Sequence, residues 1–369
     1  MRIGLFIDTL NLGGAETMLL DLAKTLSDHK QTPVILHFGN TYIEKFSMQH
    51  KLESHIVPNH KDYKKIYRLP LFILKTASFL KKLNLHCIHS HLYGPITAMA
   101  PTAAIAKITH IGTLHDTHII EDSPNRIWGI YLAAKLGTKL IAVSNPMRQF
   151  YIDTGKVANH TISYIANFSP ETSATVPREL MRDKLGLNKE DIMVMSVGRL
   201  VHLKRFDLLI DAIDLLPKNI KVYIAGDGPC KDSLQQKSQS KTNASNIIFL
   251  NERNDIDNLL NAADIFALTS DTEGMSRSIL EALSASLPVV ATNVGGNIDL
   301  VKNDINGYIV PTNNSQAIAN AIKTISSSQS LRDSMSLNSH KLANDQFNRL
   351  NFLSKHINLY TKGTLEQGQ

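Results

Sequence analysis

The residues best suited to chemistry are two pairs of charges, each set in a loop. The first pair is Glu273 and Glu281, in the run Glu273-Gly274-Met275-Ser276-Arg277-Ser278-Ile279-Leu280-Glu281-Ala282. Ile279, Leu280 and Leu283 mark the buried face of a helix that Ser276 and Ser278 can cap. Glu273 therefore falls in the loop and Glu281 in the first turns. Ionised carboxylates accept hydrogen bonds from hydroxyls, so the pair suits a ligand rich in them. The helix N-terminus between the two suits an anion. The second pair is Arg199 and Lys204, in Gly198-Arg199-Leu200-Val201-His202-Leu203-Lys204, straight after an apolar run. Arg offers a planar fork and Lys a point charge, a combination that fits a diphosphate. For both pairs the plain alternative is solvated charge near a helix start.

Two glycine loops complete the set. In Asn11-Leu12-Gly13-Gly14-Ala15-Glu16 the adjacent Gly13 and Gly14 either let the backbone approach a ligand or make a turn of positive φ. The spacing is not G-x-G-x-x-G, which disfavours a dinucleotide. Gly226-Asp227-Gly228 also follows an apolar run, but ordinary turn chemistry accounts for it equally well.

Strands and helices must place these loops. Short continuous apolar runs recur along the chain, at Ile3–Ile7, 33–38, 110–114, 139–143, Ile192–Val197, 221–225, 246–250, Ile265–Leu268 and 288–291. Amphipathic stretches separate them, such as 15–26 with Met18, Leu19, Leu22 and Leu26 on one face. Continuous runs alternating with helices predict parallel sheets covered on both sides. The pattern runs twice, which predicts two Rossmann-like doubly wound α/β domains facing across a cleft. The expected division is 1–166, a linker over 167–190 without periodicity, 191–325, and helices over 326–369 that pack back on the first domain and fray at the end. Ligands bind such sheets at the carboxyl ends of their strands.

Composition narrows the class. The chain has 369 residues and is 43% apolar, enough for two cores. Cys87 and Cys230 lie far apart and read as buried thiols, consistent with a reducing cytoplasm. No segment reaches the roughly 18 apolar residues of a spanning helix. The net charge is +6, and the segment Lys61–Lys82 alone carries seven basic residues against one acid, Asp62, a local +6. That patch points to an anionic partner such as a membrane surface. No aromatic-rich basic groove accompanies it, so nucleic acid is not expected. His86, His89 and His91 fall on one strand and its end, where alternation is expected to split them between faces, so no metal site is expected.

Taken together, Gly13–Glu16, the Gly198-Arg199…Lys204 loop, Gly226-Asp227-Gly228, the Glu-x7-Glu pair, Pro288–Gly296 and the Asn306-Gly307-Tyr308 turn resemble the retaining glycosyltransferases of family 4, with the GT-B fold. The resemblance spans most of the chain. It implies that Arg199 and Lys204 bind a donor diphosphate, that Glu273 holds donor-sugar hydroxyls, and that Glu281 holds the ribose. It implies that the Gly274, Met275 and Ser276 amides approach sugar and phosphate, and that Arg253, in 251–255, contacts the base. His115 matches a histidine near the transferred sugar, and Gly13-Gly14 a loop closing over phosphates and acceptor. Where the family often has glycine this chain has Ser286, and where it often has Asn-Gly this chain reads Asn167-Phe168.

The implied reaction moves a sugar, with retention, from a nucleotide-sugar donor to a saccharide or lipid-linked acceptor at the cytoplasmic face of a membrane. It would need no metal and no cofactor, because Arg199, Lys204 and a helix terminus supply positive charge. Front-face attack fits better than a carboxylate nucleophile, since the first domain offers no convincing candidate. A nucleotide-sugar 2-epimerase and a non-catalytic nucleotide-binding scaffold are the alternatives.

Overall fold

Each buried apolar run becomes a strand of a parallel sheet. A computed structural model describes residues 1–11, 13–58, 60–63 and 65–365; Leu12 of the double-glycine loop, Lys64 of the basic segment Lys61–Lys82, and residues 366–369 lie outside the described residues. The first sheet holds β1 (Arg2–Phe6), β2 (Thr32–His37), β3 (Glu53–Ile56), β4 (Cys87–His91), β5 (Thr109–Leu114), β6 (Lys139–Ala142) and β7 (Ile162–Tyr164). Its order is β3-β2-β1-β4-β5-β6-β7. The second holds β8 (Ile192–Val197), β9 (Ile220–Ala225), β10 (Ile247–Asn251), β11 (Ile265–Leu268), β12 (Val289–Thr292) and β13 (Gly307–Val310), in the order β10-β9-β8-β11-β12-β13. All pairings are parallel.

In each sheet the winding direction reverses once, between β1 and β4 and between β8 and β11. Helices on either side of such a switch point diverge and leave a crevice at the carboxyl edge. Ile3, Leu5 and Phe6 on β1, and Val194 on β8 with Ile265 and Ala267 on β11, are fully buried. Helix Gly14–Asp28 buries Met18, Leu19, Leu22 and Leu26, the face read from the spacing.

The chain forms two compact units, Met1–Asn167 with the chain from Arg349, and Phe168–Asn348. Helix Gln329–Asp345 lies in the second unit, whereas helix Arg349–Leu365 returns to the first and packs on β5 and on helix Gly14–Asp28. The stretch after Phe168 is bound to the second unit. Thr175 and Val176 donate to Asn258 Oδ1, and Arg178 and Arg182 pair with Asp264 at 2.5 and 3.0 Å. No helix among the described residues is long and apolar enough to cross a membrane.

Candidate active site

In the second unit the charged loops meet at the β8/β11 switch point. Gly198 and Arg199 leave the end of β8, and the chain turns through 202–204 into helix Phe206–Ala212. Opposite, β11 runs into Thr269, Ser270, Asp271 and Glu273 before helix Arg277–Ser284. Lys204 Nζ lies 2.5 Å from Glu273 Oε1, and Ser270 Oγ donates to the same oxygen at 2.6 Å. The Glu273 side chain is only 9% exposed. A carboxylate this enclosed must be paired, and a cation and a hydroxyl pair it here. Thr269 Oγ1 donates to the carbonyls of Lys204 and Arg205, and Asp271 N donates to Leu203 O, so the two loops are tied by backbone as well. Arg205, held above its ordinary pKa by Asp207 and Asp271, pairs with both and also reaches Asn313.

Ser276 is the N-cap of helix Arg277–Ser284 and accepts from Ile279 N, which fixes the helix start beside Glu273. Glu281 accepts from Arg277 Nε at 2.9 Å, one turn earlier. Gly274, Met275 and Ser276 are buried between these charges. Arg199 is exposed at the end of β8. Arg253 is exposed and pairs with Asp255 at 2.7 Å within its own loop.

The glycines of this unit space the backbones. A Cβ on Gly226 would lie 2.0 Å from Gly198 O, and one on Gly228 2.5 Å from Leu200 O. The Gly226-Asp227-Gly228 turn is thus the floor on which the Arg199 loop rests. Leu200 N donating to Asp227 O completes that contact. Gly295, at φ +45°, carries the Glu273 loop in the same way: its Cβ would fall 1.6 Å from Glu273 O.

The first unit has its own crevice, at the β1/β4 switch point. A pocket of about 830 Å³ is lined by Asp8 beyond β1, Tyr93 and Gly94 beyond β4, His115 and Asp116 beyond β5, and Arg126, among others. Burial and the Asp8 carboxylate raise the Tyr63 hydroxyl far above its ordinary pKa. His115 is half-buried, and desolvation pushes its imidazole down to about 4, so it is neutral at pH 7. Its Nε2 lies 3.0 Å from His91 Nδ1.

His89 and His91 do not lie on opposite faces. They are two apart on β4, share a face by its period of two, and stack at 4.4 Å. His89 spends both nitrogens on Tyr360 and Thr113, and His86 accepts from Arg2 N. Among the described residues no group of three or more His, Cys, Asp or Glu is placed to hold a metal. Gly13 is the N-cap of helix Gly14–Asp28 at φ −143°, so the turn of positive φ does not occur; a Cβ on Gly14 would meet nothing within 4 Å. Glu16, 5% exposed, accepts from Thr9 Oγ1 beneath this loop.

The structure thus brings Lys204, Glu273 and the 274–276 backbone together in one unit, and sets His115 in the pocket of the other. Spacing alone missed Ser270, Thr269, Asp271 and Gly295, which hold Glu273 and its loop. It also missed Asp8, Tyr63, Tyr93 and Arg126. Position just beyond a strand's carboxyl end was a usable signal for Asp8 and Ser270; Tyr63 and Arg126 reach the pocket from helices and gave none.

The chain is similar in sequence and in fold to known glycosyltransferases. Residues 12–169 match the family described as Glycosyltransferase Family 4, and 177–342 match Glycosyl transferases group 1. The chain is 29% identical over 307 residues, 78% of each chain, to an Escherichia coli UDP-Gal:alpha-D-GlcNAc-diphosphoundecaprenol alpha-1,3-galactosyltransferase. It is 24% identical over 357 residues, 94% of each chain, to a Campylobacter jejuni alpha-1,4-N-acetyl-D-galactosaminyltransferase acting on an undecaprenol-linked saccharide. Its fold superposes on that of Anabaena HepE, crystallised with UDP, with a TM-score of 0.88 at 23% identity, covering 98% of this chain and 100% of that one.

Proposed function

This chain belongs to glycosyltransferase family 4, and from that premise we propose that it transfers a hexosyl or N-acetylhexosaminyl group, with retention, from a UDP-sugar to a saccharide or lipid-linked saccharide in surface polysaccharide, lipopolysaccharide or glycolipid assembly. The observation that carries the reading is the Lys204–Glu273 pair beside the start of helix Arg277–Ser284. Lys204 and Glu273 satisfy each other's charge in the structure. A donor offers both a better match: phosphate oxygens for Lys204 and sugar hydroxyls for Glu273. Arg199 joins Lys204 on the diphosphate, Glu281 exchanges Arg277 for the ribose, and Arg253 reads the base. The resemblance assigns the Gly13-Gly14 loop to the phosphates, and a Cβ on Gly14 would meet nothing within 4 Å. The UDP class is supported by the printed donor of the E. coli relative and the UDP held by HepE.

Leaving-group charge grows on the diphosphate as the glycosidic bond breaks. Arg199, Lys204 and the helix terminus stabilise it without reorganisation, which is why no divalent ion is needed. The neutral His115 orients the sugar by hydrogen bonding and is not the nucleophile. The acceptor hydroxyl attacks from the same face and its proton passes to the departing phosphate. This reading places the protein at the cytoplasmic face of a membrane, with Lys61–Lys82 toward anionic lipid.

A panel of UDP-, GDP- and ADP-sugars in a thermal-shift screen tests the donor, since a tight ligand stabilises by mass action. Transfer to an undecaprenyl-diphosphate saccharide, with and without chelator, tests the reaction. UDP-sugars should stabilise and transfer should survive chelation. Conversion of the nucleotide sugar without any acceptor would favour an epimerase. Binding with no turnover on any acceptor would favour a scaffold.

A further inference from the structure

A file of imidazoles runs across the carboxyl ends of β4 and β5 in the first unit, and its last member, His115, lines the pocket. His89 is fixed first. It is fully buried, with one nitrogen 2.8 Å from Tyr360 Oη and the other 2.6 Å from Thr113 Oγ1. Its ring stacks on that of His91 at 4.4 Å, with the planes 29° apart, which holds His91 in one orientation. His91 Nδ1 in turn lies 3.0 Å from His115 Nε2, and those two planes are 26° apart. His91 is 3% exposed, and its Nε2 is buried without a hydrogen-bond partner among the described residues.

A neutral imidazole has one N–H and one lone pair. Burial lowers the pKa of both rings, that of His115 to about 4, so both are neutral at pH 7. In the 3.0 Å contact one nitrogen therefore donates and the other accepts. Two arrangements satisfy this. If His115 Nε2 donates, the proton of His91 must sit on its own Nε2, a buried N–H with nothing to accept it. If His91 Nδ1 donates, only a lone pair is orphaned at Nε2. Buried N–H groups without partners are the rarer defect in folded proteins, which favours the second arrangement. The hydrogen bond at one ring nitrogen decides the tautomer at the other, so the proton of His115 then sits on Nδ1. The His115 side chain makes no other hydrogen bond among the described residues, which leaves that N–H for a ligand.

We propose that His91 is a positioning residue whose Nδ1–H locks His115 in the Nδ1–H tautomer, so that His115 donates to an oxygen lone pair of the sugar donor. This rests on the reading that His115 orients the transferred sugar. No carboxylate bonds either ring among the described residues, so the lock sets the direction of the bond without making His115 a base.

The lock can be read without substrate. The full-length protein is made with isotope-labelled histidine, and long-range proton–nitrogen correlation at pH 7 separates protonated from bare ring nitrogens. His115→Gln identifies the His115 signals by their loss. Wild type should show His115 protonated at Nδ1 and bare at Nε2. Asparagine carries an amide N–H close to where Nδ1–H of histidine lies, whereas leucine fills similar space with no donor. His91→Asn should keep the wild-type pattern, and His91→Leu should convert His115 wholly or in part to the Nε2–H form. With UDP-galactose as donor and an undecaprenyl-diphosphate saccharide as acceptor, His91→Leu should lower kcat about tenfold at unchanged donor KM, and His91→Asn should restore it to within about twofold.

His115 protonated at Nε2 in the wild type would overturn the proposal, as would an unchanged Nδ1–H form in His91→Leu. So would an equal loss of rate in both variants, the result of disturbed packing alone. If His91→Leu does not fold, the wild-type tautomer and His91→Asn still decide. A tautomer change in His91→Leu with full transfer activity would sink the placing of His115 at the sugar and leave the lock standing.

Discussion

Replacing Gly295 with alanine should disable donor chemistry without unfolding the protein. The added Cβ would lie 1.6 Å from Glu273 O and 2.7 Å from its carbonyl carbon. An ordinary carbon–oxygen contact is about 3.3 Å, so one backbone must move by about 1.7 Å. Glu273 is held by bonds of 2.5 Å to Lys204 and 2.6 Å to Ser270. A shift of that size takes both beyond the roughly 3.2 Å limit of a good hydrogen bond. Misplacement of a reacting group by about 1 Å costs roughly 100-fold in rate, or about 2.7 kcal/mol. The φ of +45° adds about 1–2 kcal/mol of native-state strain, which a domain of this size survives. The matched control is Gly186→Ala, at φ +72° with nothing within 4 Å of the new Cβ, which carries the strain without the clash. Thermal unfolding, calorimetric titration with UDP and initial rates of transfer should be measured on both. Gly295→Ala should transfer about 100-fold more slowly than Gly186→Ala at a similar melting temperature. Indistinguishable rates would refute the claim that Gly295 sets the position of Glu273.

Arg199→Ala and Lys204→Ala should each lose about 1.5–3 kcal/mol of donor binding in calorimetry, with the fold intact; normal affinity and rate in both would remove the diphosphate assignment. Glu281→Ala should weaken both UDP and the UDP-sugar, whereas Glu273→Ala should spare UDP and damage transfer; identical titrations for the two would contradict the division. His89, His91, His110, His115 and His356 are all held below the ordinary imidazole pKa, with burial the leading cause. Below pH about 6.5 the unfolded chain takes up protons that the folded chain refuses, so stability should fall as pH drops toward 4.5 and recover as it rises. A melting temperature flat between pH 7 and 4.5 would show these rings to be accessible. Ser286 sits at φ +61°, a region that costs an L-residue about 1–2 kcal/mol, so Ser286→Gly should raise stability by about 0.5–1 kcal/mol after its entropic penalty. A lower melting temperature would mean that the 3.3 Å contact from Ser286 Oγ to His340 outweighs the strain.

Much of the architecture was legible in the residues because its signals are local. Continuous runs such as Ile192–Val197 and Ile265–Leu268 have no polar face, so only a doubly covered parallel strand can hold them. Helix Arg277–Ser284 was legible from Ser276 and the spacing of Ile279, Leu280 and Leu283, and with it the placement of Glu273 in a loop and Glu281 in the helix. What linear spacing could not supply was pairing across the sheet. Lys204 and Glu273 are 69 residues apart and meet only because β8 and β11 are neighbours at the switch point. Gly226 reads as a turn residue and Gly295 only falls within the Pro288–Gly296 run; the fold alone shows that each carries another loop's carbonyl against its missing side chain. The strand period itself places His89 and His91 on one face, but the contact of His91 with His115 needed the β4–β5 register. Amino-acid order determined the elements and the kinds of charge at their ends, because propensity and periodicity act over a few residues. Which charges and which rings meet was decided by tertiary packing, because those facts depend on residues far away in the chain.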